Sequence, residues 1–341
     1  MRKRILLILA VALLCGSCEK LFMEEDMPSD AVSSFNYLWQ KVDQQYAFFD
    51  VKGVDWDSIY NVYIGEVGEG MGNDSLFRVM SKMLNTLNDG HVNLISSFDV
   101  MRCHQVYERM VAQSNIDVNS VILQYLTVDY HSSAGFRHHS IRDGEVAYIY
   151  YPSFSNSAPT ATLYRILQGY PNAKGAILDI RQNGGGNIEN VWNILKVLPS
   201  EGKLLYYTQI KNGPGHDDFT TAEQVWMPEP DHIGDNPVYD KPVVVLTDRG
   251  SYSAASFFAL CSKRYDNVTV VGDTTGGGLG LPAGGYLPNG WRYRFSITRT
   301  IDYQGVNWEN GVPPDEVVLL DRSLLPIDNV IERACDIILD K

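Results

Sequence analysis

The hydrophobic pattern of the chain begins with a helical period and later changes to that of strands. Near the N-terminus, apolar residues recur at helical spacing at Phe35, Leu38, Trp39, Val42 and Tyr46. A second amphipathic stretch begins near Trp56, and a third carries apolar residues from Leu76 to Leu87. These stretches predict a small helical N-terminal domain over residues 33–92, with the turn Asn88-Asp89-Gly90 after its last helix.

Beyond residue 92, apolar strands alternate with amphipathic helices. The clearest strands are the apolar runs 146–151, 175–180, 243–247 and 268–272. Such alternation predicts a mostly parallel sheet with both faces covered, so we expect an α/β domain over residues 93–341. Residues 98–140 carry mixed strand signals and indicate no clear helix.

The start of the chain has the layout of a secretory signal. Basic residues at positions 2–4 precede an apolar run over residues 5–14, which is shorter than the roughly 20 residues that a membrane-spanning helix needs. The segment LCGSC at 14–18 resembles the cleavage box of bacterial lipoproteins, with Cys15 where that box usually has leucine.

The lipoprotein resemblance implies that a signal peptide, residues 1–17, is removed and that Cys18 then carries lipid. Residues 18–32 are acidic with few apolar positions, and we expect them to form a tether between the lipid and the fold. The expected location is the bacterial cell envelope, with the lipid in a membrane and the protein on its periplasmic or surface face. An ordinary signal peptide cut nearby is the alternative.

Composition narrows the classes of function. The chain of 341 residues carries a net charge of −13, which argues against a nucleic-acid partner because such binding needs a basic face. After the signal only Cys103, Cys261 and Cys335 remain, too few for a disulfide framework. The last two fall in helical apolar patterns, which favours buried free thiols.

The most informative stretch is 241–260, where an apolar strand leads through a glycine-containing turn into a helix of small residues. Ser253 lies at that junction. A serine there exposes its hydroxyl at the end of a strand, beside helix N-terminal amides able to bind an acyl oxyanion. Because serine is also a favoured N-cap residue, Ser253 or Ser251 could instead serve only to cap the helix.

Three other segments carry candidate chemistry. A strand within 178–187 ends in Gly184-Gly185-Gly186, whose amides could face an oxyanion or a phosphate. A nucleotide loop is disfavoured because no Gly-Lys-Ser/Thr follows, while a simple tight turn stays open. His91 directly follows a turn, and Glu309 lies in a loop rich in glycine and proline; taken singly, each would be an ordinary core or surface residue.

Taken together, these segments resemble in content and order the serine peptidases of the tail-specific protease and tricorn-core family, over residues 35–318. The matching segments are FNYLWQKVDQQYAFFDVKGVDWDSIY, LNDGH, YPSF, LDIRQNGGGN, SYSAAS, VVGDTTGGG, LPNGW and WENGVPPD. The resemblance implies an α/β, crotonase/Clp-protease-like core with a mostly parallel sheet, a small N-terminal helical domain and no cofactor. The stretch between His91 and residue 145 is too short for the PDZ module that relatives often carry.

Residue by residue, the resemblance implies that Ser253 is the nucleophile and that the backbone amide of Ala254 supplies one oxyanion donor. The glycine run supplies the other, with Gly185 expected ahead of Gly184. The helical domain would pack over the sheet that carries the nucleophile, which places the cleft at a domain interface, where pockets are common.

The resemblance assigns the general base to His91, as in the tricorn-like branch, and its acidic partner to Glu309. The other branch uses a lysine at the end of the loop after VVGDTT, and here that position is Gly278, so a Ser-Lys dyad is not expected. Two further departures are Ser256, where many relatives have Glu, and Gly90, where the tricorn-like pattern often has Ser.

The implied function is that of a lipid-anchored serine endopeptidase that hydrolyses peptide bonds in peptides or unfolded protein segments by a Ser/His/Glu acyl-enzyme mechanism. The alternative is a catalytically inactive peptide- or ligand-binding lipoprotein on the same fold. A metal hydrolase is disfavoured, and no metal site is expected, because His104, His131 and the pair His138-His139 lack ligand spacing such as HExxH.

Overall fold

The computed structural model describes residues 28–231 and 238–340 of the chain. The signal peptide expected at 1–17, the lipid-bearing Cys18 and the tether as far as residue 27 lie outside the described residues. Within the described ranges, no helix combines the length and the apolar character needed to cross a membrane.

Helices fill the N-terminal part of the fold and recur between strands further on. The α-helices are α1 (Ala31–Gln45), α2 (Phe49–Lys52), α3 (Trp56–Ile64), α4 (Asn73–Asn85), α5 (His104–Ala112), α6 (Val118–Ser120), α7 (Thr160–Gln168), α8 (Ile188–Leu195), α9 (Ala254–Ser262) and α10 (Asn329–Leu339). A π-helix spans Val121–Leu126 and a 3-10 helix spans Arg322–Leu324. Asp30 and Asp55 fix the starts of α1 and α3, because each side chain accepts a first-turn backbone amide.

The strands belong to three sheets within the described ranges. They are β1 (Asn93–Ile95), β2 (Val100–Arg102), β3 (His131–Ser133), β4 (Phe136–Ile141), β5 (Val146–Tyr150), β6 (Gly175–Asp179), β7 (Leu204–Ile210), β8 (Glu223–Trp226), β9 (Val243–Thr247), β10 (Val268–Gly272), β11 (Pro282–Tyr286), β12 (Arg292–Ser296), β13 (Thr298–Asp302) and β14 (Glu316–Val317).

The central sheet has the strand order β14-β10-β9-β6-β5-β4-β3. Its pairings are parallel from β14 to β5 and antiparallel where β4 and β3 complete the edge. Every residue of β5, β6 and β9 is buried, because helices cover both faces, and this explains the continuous apolar runs in the sequence. The predicted α/β class with a mostly parallel sheet is confirmed. A third sheet has the order β13-β7-β8.

A second sheet, β11-β12-β1-β2, links the N-terminal helices to the C-terminal half of the chain. Strand β1 pairs antiparallel with β12, with Leu94 opposite Tyr293. The side chains of Trp291, Tyr293 and Phe295 enter the same hydrophobic core as those of α1 to α4. The expected N-terminal helical region is present, and residues from the far end of the sequence complete its core.

Residues 98–140 contain β2, β3 and nearly all of β4, as the mixed strand signals indicated, but they also contain α5 and the π-helix, which the sequence did not indicate. Helix α5 buries only Val106 and Met110, and one apolar pair is too weak a stripe to reveal a helix in the sequence. In the π-helix, Val121, Tyr125 and Leu126 pack against the central sheet. A short apolar run alone does not distinguish a strand from a buried helical segment.

Candidate active site

Ser253 stands between the buried strand β9 and helix α9, beyond the carboxyl end of an interior strand of the central sheet. Its backbone has φ 55° and ψ −119°, a strained conformation for a residue with a side chain, and its amide donates to the carbonyl of Gly277 at 2.9 Å. The Ser253 side chain does not cap α9. Ser251 instead donates to the Ile180 carbonyl and accepts from the Asp248 amide. The hydroxyl of Ser253 is thus left available for another partner.

That partner is His91, from a turn 162 residues earlier in the chain. The Nε2 atom of His91 lies 2.9 Å from Ser253 Oγ. The histidine is only 5% exposed. Burial is the main effect that lowers the pKa of His91, to about 4; the Asp89 carboxylate opposes the shift, and Arg294 and Lys52 add to it. At neutral pH the imidazole is therefore uncharged, which is the state that a general base requires.

The backbone amides around Ser253 offer candidate oxyanion donors. As the first residue of α9, Ala254 has an amide with no acceptor in the described part of the chain. Gly185 lies against the nucleophile, and a Cβ built there would be 2.8 Å from Ser253 Cβ. Its amide, however, donates to Asn183 Oδ1 at 3.0 Å. The amide of Gly184 has no such partner within the described ranges. Among these candidate amides, those of Ala254 and Gly184 therefore have no competing acceptor in the described ranges, whereas that of Gly185 does.

Glu309 is buried close to the dyad but is bound to other groups. Its Oε2 accepts the Leu279 amide at 2.7 Å, and its Oε1 lies 3.6 Å from Lys52 Nζ. Burial is the main effect that raises the pKa of Glu309, to about 8, and the charge of Asp89 adds to it. The contact between Glu309 and His91 that the family resemblance implied is absent from the hydrogen bonds and ion pairs of the described residues, because the carboxyl group is held by Leu279 instead.

With the geometry in place, comparison with known proteins identifies the family. The model of peptidase family S41 matches residues 145–318, about half of the chain. The chain belongs to peptidase family S41. This is a family of serine-type peptidases, which are hydrolases. A second model, that of the tricorn protease C1 domain, matches residues 30–85 of the same S41 chain.

Individual relatives agree with the family. A crystal structure from Parabacteroides merdae ATCC 43184, described as a candidate peptidase, is 37% identical to the S41 chain, with a TM-score of 0.84 over 92% of this chain and 98% of that one. The carboxy-terminal processing protease CtpA of Bacillus subtilis is 27% identical over 157 residues, which are 45% of this chain and 31% of the relative. The match to this curated relative thus spans about a third of its length.

Mature CPAF in complex with lactacystin shares the fold at 13% identity, with a TM-score of 0.66 over 91% of the S41 chain and 99% of that chain. At this identity the likeness concerns the fold alone.

Two polar residues of this S41 site carried no functional signal in the sequence. Asp89 was part of a turn motif, yet its buried carboxylate accepts the amide of His91 at 2.7 Å. Ser296 ends strand β12, and its Oγ lies 3.4 Å from His91 Nδ1. No local pattern marks Ser296, because it is 205 residues from the histidine and reaches it only through sheet pairing.

Asp248 holds the nucleophile turn of the S41 site against the glycine run. Its buried carboxylate accepts the amides of Gly250, at 3.0 Å, and Gln182, at 2.8 Å. One side chain therefore fixes both backbone segments that surround Ser253. Among the described residues, no group of three or more His, Cys, Asp and Glu side chains is arranged to hold a metal ion.

Proposed function

We propose that this chain is a serine endopeptidase that hydrolyses peptide bonds in peptides or unfolded protein segments through an acyl-enzyme. The observation that carries the proposal is the 2.9 Å separation of His91 Nε2 from Ser253 Oγ across 162 residues of sequence. Two features support it: the strained backbone at Ser253 and the uncharged, buried imidazole.

In the proposed reaction, Ser253 Oγ attacks the peptide carbonyl while His91 Nε2 takes the hydroxyl proton. The new C–O bond converts the carbonyl to a tetrahedral oxyanion. When the C–N bond breaks, His91 returns the proton to the leaving amine, and the acyl group stays on Ser253. Water then attacks the acyl-enzyme with His91 again as base, which regenerates the serine hydroxyl.

The oxyanion donors in this proposal are the amide of Ala254 and an amide of the glycine run. The amide of Gly184 has no competing acceptor in the described ranges, whereas that of Gly185, which lies against Ser253, would first have to release Asn183 Oδ1. Each donor of this kind is worth roughly 3 kcal/mol of barrier. Glu309, the acidic partner that the family resemblance implies, is held by the Leu279 amide and lies beside Lys52 in the described conformation, so the proposed steps assign it no proton transfer.

The direct experiment is active-site labelling with a fluorophosphonate probe, followed by peptide-library cleavage and mass spectrometry. We expect labelling at Ser253 in the native protein, and loss of both labelling and hydrolysis in Ser253→Ala. The matched control is Ser323→Ala, at an exposed serine distant in sequence, which should keep both. A folded protein that binds peptides but neither reacts with the probe nor cleaves them would be the inactive binding lipoprotein.

We also propose that the mature protein is attached to a membrane of the bacterial cell envelope by lipid on Cys18. The support is the lipoprotein-like box at 14–18. In cells fed an alkyne fatty acid, the wild type should incorporate label and sediment with membranes, whereas Cys18→Ser should lose the label. Cys15→Ser is the matched control and should retain it. An unlabelled wild type with its mature N-terminus elsewhere would indicate an ordinary signal peptide.

A further inference from the structure

We infer that Asp89, acting through the hydroxyl of Ser296, is the carboxylate that positions His91 and sets its tautomer. This inference rests on the proposed function, since it assigns the orienting role within that same site. It transfers the role from Glu309 to a pair of residues that the resemblance does not assign. Both are positioning residues, because neither touches the reacting atoms.

The first step is the direction of the hydrogen bonds at Asp89. Its carboxylate lies 3.0 Å from Ser296 Oγ, 3.2 Å from Tyr46 Oη and 3.4 Å from Tyr252 Oη, in addition to the His91 amide. Asp89 is only 1% exposed. A carboxylate can only accept, so each of these hydroxyl groups donates its proton to Asp89.

The second step follows from the chemistry of a hydroxyl group. Ser296 has one proton, which it gives to Asp89, so towards His91 it can only accept. The ring atom facing it, Nδ1 at 3.4 Å, must therefore carry the imidazole proton. That leaves the lone pair on Nε2, 2.9 Å from Ser253 Oγ. The chain from Asp89 through Ser296 thus selects the tautomer that can accept the proton of the nucleophile.

The third step is the origin of the geometry in the sheet. Strands β1 and β12 pair with Asn93 opposite Arg294 and Leu94 opposite Tyr293. His91 lies in the turn two residues before β1, and Ser296 is the last residue of β12. The β1–β12 ladder therefore brings the turn that carries His91 to the end of β12, where Ser296 Oγ lies 3.4 Å from His91 Nδ1.

Glu309 does not compete for this role in the described conformation. Its oxygen atoms are engaged by the Leu279 amide and by Lys52, and the hydroxyl of Ser296 is turned to Asp89. The imidazolium that forms during acyl transfer would be stabilised by the nearest carboxylate, and the charge of Asp89 already favours protonated His91.

The primary test reads the tautomer of His91 without requiring turnover. The protein is labelled with 15N-histidine, and the His91 signals are assigned as those missing from the spectrum of His91→Gln. Two-bond 1H–15N spectra of the wild type should then show His91 in the Nδ1–H form at neutral pH. Ser296→Ala should populate the other tautomer, and Ser296→Thr, which keeps a hydroxyl, should restore the first. Tyr46→Phe is the matched control, because it removes a donor from Asp89 without touching His91.

Activity gives the second readout. Ser296→Ala should lower kcat about tenfold and leave KM nearly unchanged. Asp89→Asn should lower kcat by about 10- to 100-fold and move the acidic limb of the pH profile to lower pH. Should Asp89→Asn fail to fold, Ser296→Ala and Ser296→Thr decide the matter. The inference is overturned if Ser296→Ala keeps both tautomer and kcat, or if Tyr46→Phe changes the tautomer equally. A wild type with the expected tautomer but no hydrolysis would refute the proposed function and leave the positioning chain standing.

Discussion

Because His91 is buried, we expect hydrolysis to remain active at lower pH than an ordinary histidine base would allow. Burial is the largest effect that lowers the pKa of His91, to about 4, with Arg294 and Lys52 acting in the same direction and Asp89 against it. The acidic limb of kcat/KM reports the base in the free enzyme, so its midpoint should lie near pH 4. An ordinary histidine would place it at about 6.5.

The difference is large enough to measure at a single mildly acidic pH. At about pH 5.5, a base with a pKa of about 4 is still about 97% uncharged, whereas one with a pKa of about 6.5 would be only about 10% uncharged. The protein should therefore keep nearly all of its kcat/KM at this pH. With an unperturbed histidine it would lose about tenfold.

The same prediction has a variant that tests its cause. Arg294 is exposed on β12, so Arg294→Gln should fold normally, and loss of its charge should raise the pKa of His91 and move the limb towards neutral pH. Arg292→Gln, at an equally exposed position of the same strand, is the control and should leave the limb in place. The assay is kcat/KM on a fluorogenic peptide, with the rate of fluorophosphonate labelling as a substrate-independent check.

Two results would refute this reasoning. A limb centred near the ordinary histidine value in both assays would show that the imidazole is not held in a dry site in solution. The limb of Arg294→Gln could instead move to lower pH, or stay in place while that of Arg292→Gln moves. Either result would show that the charge of Arg294 does not lower the pKa of His91, even if the wild-type limb lies near pH 4.

Three further outcomes are expected. Gly278→Lys should abolish fluorophosphonate labelling of Ser253 and should not create a Ser-Lys dyad, because the Cβ of the new side chain would lie 2.4 Å from the Tyr252 ring. Labelling of a folded Gly278→Lys variant would contradict this expectation. Ser253→Gly should be about 1 kcal/mol more stable to urea than Ser253→Ala, because φ 55° strains alanine but not glycine; equal stability would contradict it. Glu309→Gln should gain stability over the wild type as pH rises. Burial raises the pKa of Glu309 to about 8, so the stability that the protonated group gives the wild type is complete below the unfolded pKa of about 4.3 and is lost progressively until pH passes about 8. A constant stability difference between the two proteins across this range would contradict the shift.

The sequence allowed the strands, the nucleophile turn and the histidine turn to be located, because each has a local pattern. Ser253 follows a fully apolar strand and His91 follows a turn, and the order of the surrounding motifs indicated that they belong together. The oxyanion donors were harder to choose. Three successive glycines show where the backbone is free to turn, but the direction of each amide depends on partners such as Asn183, which takes the Gly185 amide.

Ser296 could not have been found in this way. Its role depends on the pairing of β1 with β12, two strands separated by almost the whole α/β region, and a register between distant strands leaves no local trace in either one. Glu309 shows the opposite case. Its motif was recognisable, but its carboxyl group is held by Leu279, a contact that spacing along the chain does not reveal.

Tyr252 gives one physical reason for two of the departures of this chain from its family's patterns, at Gly90 and at Gly278. A Cβ at Gly90, where the tricorn-like pattern often has serine, would lie 2.8 Å from Tyr252 Oη, and a Cβ at Gly278, where the other branch has lysine, would lie 2.4 Å from the same ring. The ring cannot move aside freely, because it is buried and its hydroxyl is bound to Asp89. One tyrosine beside the nucleophile therefore excludes both side chains, and in this chain the hydroxyl that faces His91 is that of Ser296 on β12.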